Sequence, residues 1–128
     1  MTETDGLLRI EIFVGDVERA VDFYERVLGF TTEHASPGYA AVRRGGALIG
    51  IGAAAALPAR HYFTQESLAG RKGAGVEIVI EVDDVDAVLR TVEAAGQAVL
   101  TPLGARSWGA RDFRIVDPDG YYLRITSH

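Results

Sequence analysis

Charged side chains alternate with apolar ones in two short runs of the sequence. Residues 9–16 read RIEIFVGD and residues 77–84 read EIVIEVDD. Since successive residues of a strand point to opposite faces of a sheet, each run has one apolar face and one mixed face, with Arg9, Glu11 and Phe13 in the first and Glu77, Val79 and Glu81 in the second. Guanidinium and carboxylate groups on such faces can bind polar parts of a ligand. A close pair of Glu11 and Glu77 could also serve acid–base chemistry through divergent pKa values, although Arg9 beside them would oppose that divergence.

The secondary-structure elements that position these residues occur twice, as an internal repeat of the sequence. At a spacing of 68 residues, the series Ile10, Ile12, Val14, Asp16 and Val17 returns as Ile78, Ile80, Val82, Asp84 and Val85. Each run predicts a strand (residues 8–14 and 76–82). Each is followed by an Asp at an N-cap position and an apolar stripe at helical spacing, which ends at Gly29 or Gly96. The repeat indicates a duplicated strand–helix module.

Shorter strand candidates follow both helices. They are residues 38–43 and 47–51, around the turn Arg44-Gly45-Gly46, and residues 98–101, 112–116 and 121–126, the last two around Asp117-Pro118-Asp119-Gly120. The prediction is an α+β fold in which two βαβββ modules (residues 7–52 and 76–127) form a half-barrel cup. Residues 53–75 join the modules, and such a long connection is typical of a lid over a site and has room for a short helix. The 128 residues fit a single domain.

Composition excludes several classes of function. The chain has a net charge of −5, no cysteine and no basic stripe, so a nucleic-acid partner, a disulfide framework and a thiolate metal site are not expected. No apolar run is long enough to span a membrane, and the polar, acidic start is not that of a signal peptide, so a cytoplasmic location is expected. There is no cysteine nucleophile, G-x-S-x-G elbow or glycine-rich phosphate loop.

Three segments resemble a known family: V-G-D-V-E-R-A-V-D-F-Y-E-R-V-L-G-F (residues 14–30), E-V-D-D-V-D-A-V (residues 81–88) and W-G-A-R-D-F…D-P-D-G-Y-Y-L (residues 108–123). The chain is similar here to the vicinal oxygen chelate superfamily, which groups glyoxalase I, extradiol dioxygenases and bleomycin-resistance proteins. The resemblance covers nearly the whole chain and is weakest over the 53–75 connection. It implies paired βαβββ modules around a cup and a homodimer.

The enzymes of that family hold a divalent metal in the cup on four ligands, mostly His and Glu. Carried over one by one, those positions fall on Arg9, near Gly50, on Glu77 and on Arg124. A guanidinium stays protonated and has no lone pair to donate, and two such charges would repel a cation. We therefore expect neither a metal site nor a cofactor. Arg9, Glu77 and Arg124 either pair with one another in place of the metal or contact a ligand directly.

Aromatic side chains complete the predicted ligand site. Trp108 lies in a loop of small residues, and strand parity directs Phe13 and Tyr39 toward the cup, although core packing is an alternative for all three. His61, Tyr62 and Phe63 lie in the connection, while His34 and His128 are expected on the surface. If Phe113 and Ile115 face the helices, Asp112 and Arg114 face the cup. The ligand-binding residues predicted from sequence are thus Arg9, Glu11, Phe13, Tyr39, His61, Tyr62, Phe63, Glu77, Trp108, Asp112 and Arg124.

The sequence favours a metal-free protein that binds a small molecule and sequesters it, as bleomycin-resistance-like proteins do. The expected ligand is an antibiotic or another aromatic natural product. Two alternatives stay open. One is an enzyme, either a metal-dependent lyase, isomerase or dioxygenase with displaced ligands or a metal-free variant with Glu11 or Glu77 as base. The other is a scaffold subunit with a vestigial cup.

Overall fold

The computed structural model describes residues 5–128 and consists of two modules with the same topology. In the first, strand β1 (Ile10–Val14) and helix α1 (Val17–Asp22) precede strands β2 (Thr31–Ser36), β3 (Tyr39–Arg44) and β4 (Ala47–Ala53). In the second, β5 (Ile78–Glu81) and α3 (Val85–Ala94) precede β6 (Thr101–Ala105), β7 (Arg111–Val116) and β8 (Tyr122–Ser127). The connection holds a 3₁₀ turn (Ala54–Ala56) and the four-residue helix α2 (Gln65–Leu68).

Each module forms a four-stranded mixed sheet. The strand orders are β1-β4-β3-β2 and β5-β8-β7-β6, and in each sheet the first pair is parallel and the other pairs are antiparallel. The predicted α+β fold of two βαβββ modules is confirmed, and so is the duplication. No helix of the described residues is both long and apolar enough to cross a membrane.

Local sequence signals account for the helix boundaries. The carboxylates of Asp16 and Asp84 accept hydrogen bonds from backbone N–H groups three residues ahead, at 3.1 Å in both cases, as expected of N-caps. After the first helix, Gly29 adopts a φ of +72°, which favours glycine and ends the helix. Between α1 and Gly29 the helix continues as a π-helical turn at Phe23–Val27. This turn buries Phe23, which lies outside the predicted helical stripe.

One predicted element differs in position and another was missed. The strand expected at residues 98–101 instead forms at Thr101–Ala105. Strand β2 was not predicted because its residues are almost all exposed and do not alternate in polarity. It is an edge strand that pairs only with β3, so it needs no buried face.

The two modules share one apolar core, whose residues come from the helix-covered faces of both sheets. Four hydrogen bonds join the modules at and beside the turn before β8. The buried Tyr24 hydroxyl donates to Asp117 at 2.7 Å, and the Gly15 N–H donates to Asp119 at 2.9 Å. The Tyr121 hydroxyl accepts from the N–H of Phe13 at 3.1 Å and donates to its carbonyl at 2.9 Å. The turn therefore holds the end of β1 in a fixed position against the second module.

Candidate functional site

Each sheet has one face that no helix covers, which we call its open face. The residues of the first open face are Arg9, Glu11, Phe13, Tyr39, Gly50 and Gly52, and those of the second are Glu77, Val79, Asp112, Arg114 and Arg124. The predicted parity is confirmed, because Phe113 and Ile115 are fully buried on the helix side while Asp112 and Arg114 face the other way. The polar side chains of the predicted site therefore lie on the two open faces.

On the first open face, Glu11 is the central group. Its carboxylate accepts a hydrogen bond from the Tyr39 hydroxyl, 3.0 Å from both oxygens, and pairs with Arg9 at 3.2 Å. Gly50 pairs with Glu11 across the sheet, and a methyl group at Gly50 would overlap the carboxylate and crowd the Tyr39 hydroxyl. Burial and then the bond to Glu11 raise the pKa of Tyr39. Glu11 and Tyr39 therefore place a carboxylate acceptor and a neutral phenol next to Gly50, where the sheet has no side chain.

Aromatic rings cover the other end of this face. Phe13 lies over Gly52, and its ring meets His61 and Phe63 edge-on at centroid distances of 5.3 and 5.7 Å. The His61 Nδ1 accepts a hydrogen bond from the Phe63 N–H at 3.0 Å. Such edge-to-face contacts are a favoured aromatic geometry, so the connection is fixed to the end of the first open face.

On the second open face, five charged side chains form a continuous chain of ion pairs, the second cluster. Asp112, fully buried, accepts from Arg106 at 2.6 Å and from Arg114 at 3.2 Å. Glu77 then pairs with Arg114 at 3.1 Å and with Arg124 at 3.5 Å. Burial disfavours the charged form of Arg114, but its bond to Glu77 and the charge of Asp112 outweigh this and raise its pKa. With three guanidinium groups and two carboxylates, the second cluster carries one net positive charge.

Arg124 is the least constrained member of the second cluster. Its Nε is buried and has no hydrogen-bond partner among the described residues, although Glu77 lies within ion-pair distance. About a quarter of the side chain stays exposed. Its neighbour across the parallel strand pair is Val79, 41% exposed. A guanidinium beside an apolar surface can bind an oxygen acceptor on a flat molecule.

The structure divides the predicted charge cluster in two. Arg124 pairs with Glu77 as expected, but Arg9 pairs with Glu11 instead. Among the described residues, no hydrogen bond or ion pair links the two open faces. The expectation that Arg9, Glu77 and Arg124 pair together is wrong for Arg9, because the sheets meet through their helix-covered faces and each open face satisfies its own charges.

The remaining predicted residues are exposed aromatics. Trp108 lies in the turn between β6 and β7 and is 58% exposed, and Tyr62 in the connection is 90% exposed. Among the aromatic rings of residues 5–128, Tyr62 meets only that of Phe63, at a centroid distance of 5.4 Å. His34 and His128 are on the surface, as expected. Trp108 and Tyr62 are available to a ligand or a partner.

Arg106 belongs to the second cluster and was not identified from sequence. The register between β6 and β7 is irregular, so strand parity gives no direction for its side chain. Gly104, opposite Asp112, leaves the space that the Arg106 guanidinium occupies, since a methyl group there would lie 3.2 Å from its Nη1. The only signal in the sequence was a glycine two residues before an arginine, at the end of a short strand.

A divalent metal does not fit the four positions that the family resemblance assigns to it. Two of them carry guanidinium groups, Arg9 and Arg124, and a third, Gly50, has no side chain. The carboxylate of Glu77 is already paired with two arginines. Within residues 5–128, no group of three or more His, Cys, Asp or Glu side chains is placed to hold a metal ion.

Comparison with known proteins agrees with this architecture. The family model described as Glyoxalase/Bleomycin resistance protein/Dioxygenase superfamily matches residues 6–125. TioX from Micromonospora sp. ML1 is 25% identical, with a TM-score of 0.80 over 94% of this chain and 97% of that one. A protein of unknown function from Agrobacterium tumefaciens str. C58 is 27% identical, with a TM-score of 0.74 over 94% and 91% of the two chains.

A glyoxalase/bleomycin resistance protein/dioxygenase family enzyme from Burkholderia phytofirmans PsJN is 23% identical, with a TM-score of 0.73 over 94% and 97%, and shows the same fold. Comparison with curated proteins gives no match. The match of the family model to nearly the whole chain, together with the paired βαβββ modules, shows that the chain belongs to the glyoxalase/bleomycin resistance protein/dioxygenase superfamily.

Proposed function

We propose that this chain is a metal-free binding protein that sequesters a small, flat, oxygen-rich aromatic molecule, such as an antibiotic or a related natural product. The observation that carries the proposal is the state of Glu77. Its carboxylate is paired with Arg114 and Arg124, so an open face that would otherwise need a cation already has its positive charge. A binder needs only affinity and slow release, and neither requires a metal.

The chemistry of the second open face supports this class of ligand. Arg124 offers donors to carbonyl, phenol or carboxylate oxygens, and Val79 offers an apolar surface beside it. Trp108 is an exposed ring on the turn that follows Arg106, which suits stacking on a flat molecule. Pockets for small ligands commonly combine a mainly apolar lining with a few polar groups.

We include a homodimer in the proposal. Several large apolar side chains are exposed, among them Leu8 (72%), Leu100 (60%) and Val76 (55%). Burying such side chains against a second copy would remove apolar area from water. Sedimentation velocity should give a species of twice the chain mass, and a monomer at all concentrations would remove this part of the proposal.

The contact between Tyr39 and Glu11 favours a second candidate, a metal-free lyase or isomerase. A carboxylate acceptor and a phenol donor, 3.0 Å apart on an accessible face, are the parts that proton transfer requires. In this candidate Glu11 is the base. The two functions differ in what becomes of the ligand, since a binder returns it unchanged.

Trp108 is the only tryptophan, so its fluorescence tests the proposal. Titration with a panel of aromatic natural products, including DNA-cleaving antibiotics, should show saturable quenching by at least one compound, and that compound should be recovered unchanged. Calorimetry should show that Trp108→Ala weakens binding by ~1–3 kcal/mol. Leu7→Ala, a matched loss of an exposed apolar side chain, should leave binding as it was.

Two results would contradict the proposal. One is the absence of any saturable ligand across the panel, which would favour a scaffold role. The other is conversion of a compound at many times the molar amount of protein, which would favour the enzyme, and Glu11→Gln should then abolish the conversion.

A further inference from the structure

A mainly apolar cavity of about 380 Å³ lies at the seam between the two modules. Its walls come from β1, the start of β5 and the connection, with Ile12, Phe13, Leu68 and Ile78 among the apolar side chains. Tyr121 closes one end, where its hydroxyl holds both backbone groups of Phe13. The volume is within the range of small-molecule sites, roughly 300–1,000 Å³.

The roof of this seam cavity, residues 63–74, is fixed at both ends. At one end Phe63 packs against Phe13. At the other, Gly73 has a φ of +65° and lies so close to the Tyr121 ring that a Cβ would be 3.0 Å from it. Between these points, α2 carries a capping box in which Thr64 and Ser67 each bond the other's backbone N–H. The cavity is therefore a feature of the folded chain and not a gap under a loose loop.

The charged roof residues that line the cavity are both positive. Arg71 and Lys72 both line the cavity, and neither forms an ion pair with a described residue. Lys72 donates one hydrogen bond, to the Leu68 carbonyl at 2.7 Å, and an ammonium has two more to give. The one acidic lining residue, Glu11, is already paired with Arg9 and bonded by Tyr39. An apolar body with an anionic end complements this arrangement.

We propose that the seam cavity is a second binding site and that its ligand is a small amphipathic carboxylate. The apolar part lies against Phe13, Leu68 and Ile78, and the carboxylate is bound by Lys72 and Arg71. This site goes beyond the proposed function, because no side chain of the second cluster lines the cavity, neither Glu77 nor its partners Arg114 and Arg124.

The test compares 4-phenylbutanoate with 4-phenylbutanamide, which have the same shape and differ in charge. Calorimetry on the intact chain should show that the acid binds about tenfold more tightly than the amide, since charge-assisted hydrogen bonds are stronger than neutral ones. Lys72→Gln and Arg71→Gln should each lower the affinity for the acid several-fold and leave the affinity for the amide unchanged. Leu68→Trp, which fills the cavity, should abolish binding of both.

A variant outside the cavity separates this site from the proposed function. Arg124→Gln should not alter the affinity for 4-phenylbutanoate, whereas it should lower the affinity for the natural product that quenches Trp108 fluorescence. Backbone amide NMR shifts on adding the acid should be largest at Phe13 and Gly73. Equal affinities for acid and amide, no effect of Leu68→Trp in a variant that melts like the parent, or shifts centred on Glu77 would each overturn the proposal.

Discussion

Replacing Asp112 by Asn tests the second cluster without creating a cavity. Asp112 is fully buried and its Oδ1 accepts from Arg106 at 2.6 Å and from Arg114 at 3.2 Å. The amide has nearly the same shape as the carboxylate but no charge, so Arg106 loses its one ion-pair partner among the described residues and Arg114 keeps only Glu77. Arg106 and Arg114 are 23% and 16% exposed and can recover only part of this loss from water.

The expected cost follows from burial. Removing one partner of a buried ion pair costs about 3–5 kcal/mol, and partial hydration of the two arginines places this case near the lower limit, about 3 kcal/mol. The chain supplies a matched control in Asp86, which pairs with Arg111 at the same 2.6 Å but on the surface, with both side chains about half exposed. Solvent and salt weaken such a pair, so Asp86→Asn should change stability little.

Urea unfolding of the two variants at neutral pH makes the comparison. Asp112→Asn should lower the midpoint clearly with an unchanged slope, since the area exposed on unfolding stays the same, while Asp86→Asn should remain close to the parent. Equal midpoint shifts in the two variants would show that burial does not set the strength of these pairs, and the reasoning about the second cluster would fail.

Two further predictions concern the other polar contacts. Burial and then the bond to Glu11 hold the pKa of Tyr39 above its ordinary value, so Glu11→Gln should lower that pKa in NMR titrations of ¹³C-labelled tyrosine; an unchanged value would mean that the two side chains do not interact in solution. Burial, outweighing the bonds from Tyr24 and two backbone N–H groups, raises the pKa of Asp117. The folded chain then holds this proton more tightly than the unfolded chain, so this carboxyl contributes less stability as pH rises through the interval between the unfolded value of 3.8 and the raised folded value. Asp117→Asn should remove this pH-dependent contribution. The unfolding free energy of the variant, measured relative to that of the parent, should therefore be higher at about pH 7 than at about pH 4. The same difference between variant and parent at both pH values would contradict this.

The sequence predicted the parts of the fold that depend on local chemistry. Period-two apolar patterns gave β1 and β5, and Asp16 and Asp84 marked the helix starts because a side-chain cap needs only neighbouring residues. Strand β2 was missed because an exposed edge strand has no buried face to enforce alternation.

The candidate site was predicted less completely because strand parity gives the face of a side chain but not its ion-pair partner. Strand parity correctly placed Asp112 and Arg114 on the open face, since parity is a local property. Arg9 was expected to reach Glu77, but it pairs with Glu11, two residues along the chain, while Glu77 pairs with Arg114 and Arg124. Arg106 reaches Asp112 across an irregular stretch of β6, where alternation does not apply.

The central claim is that guanidinium groups occupy the place of a cation on the second open face. Metal analysis of the protein purified without chelator tests it most directly. We expect nickel, zinc, iron and manganese at far below one equivalent per chain, and ligand binding that survives dialysis against a chelator. About one equivalent of any of these metals, lost on chelation together with ligand binding, would contradict it.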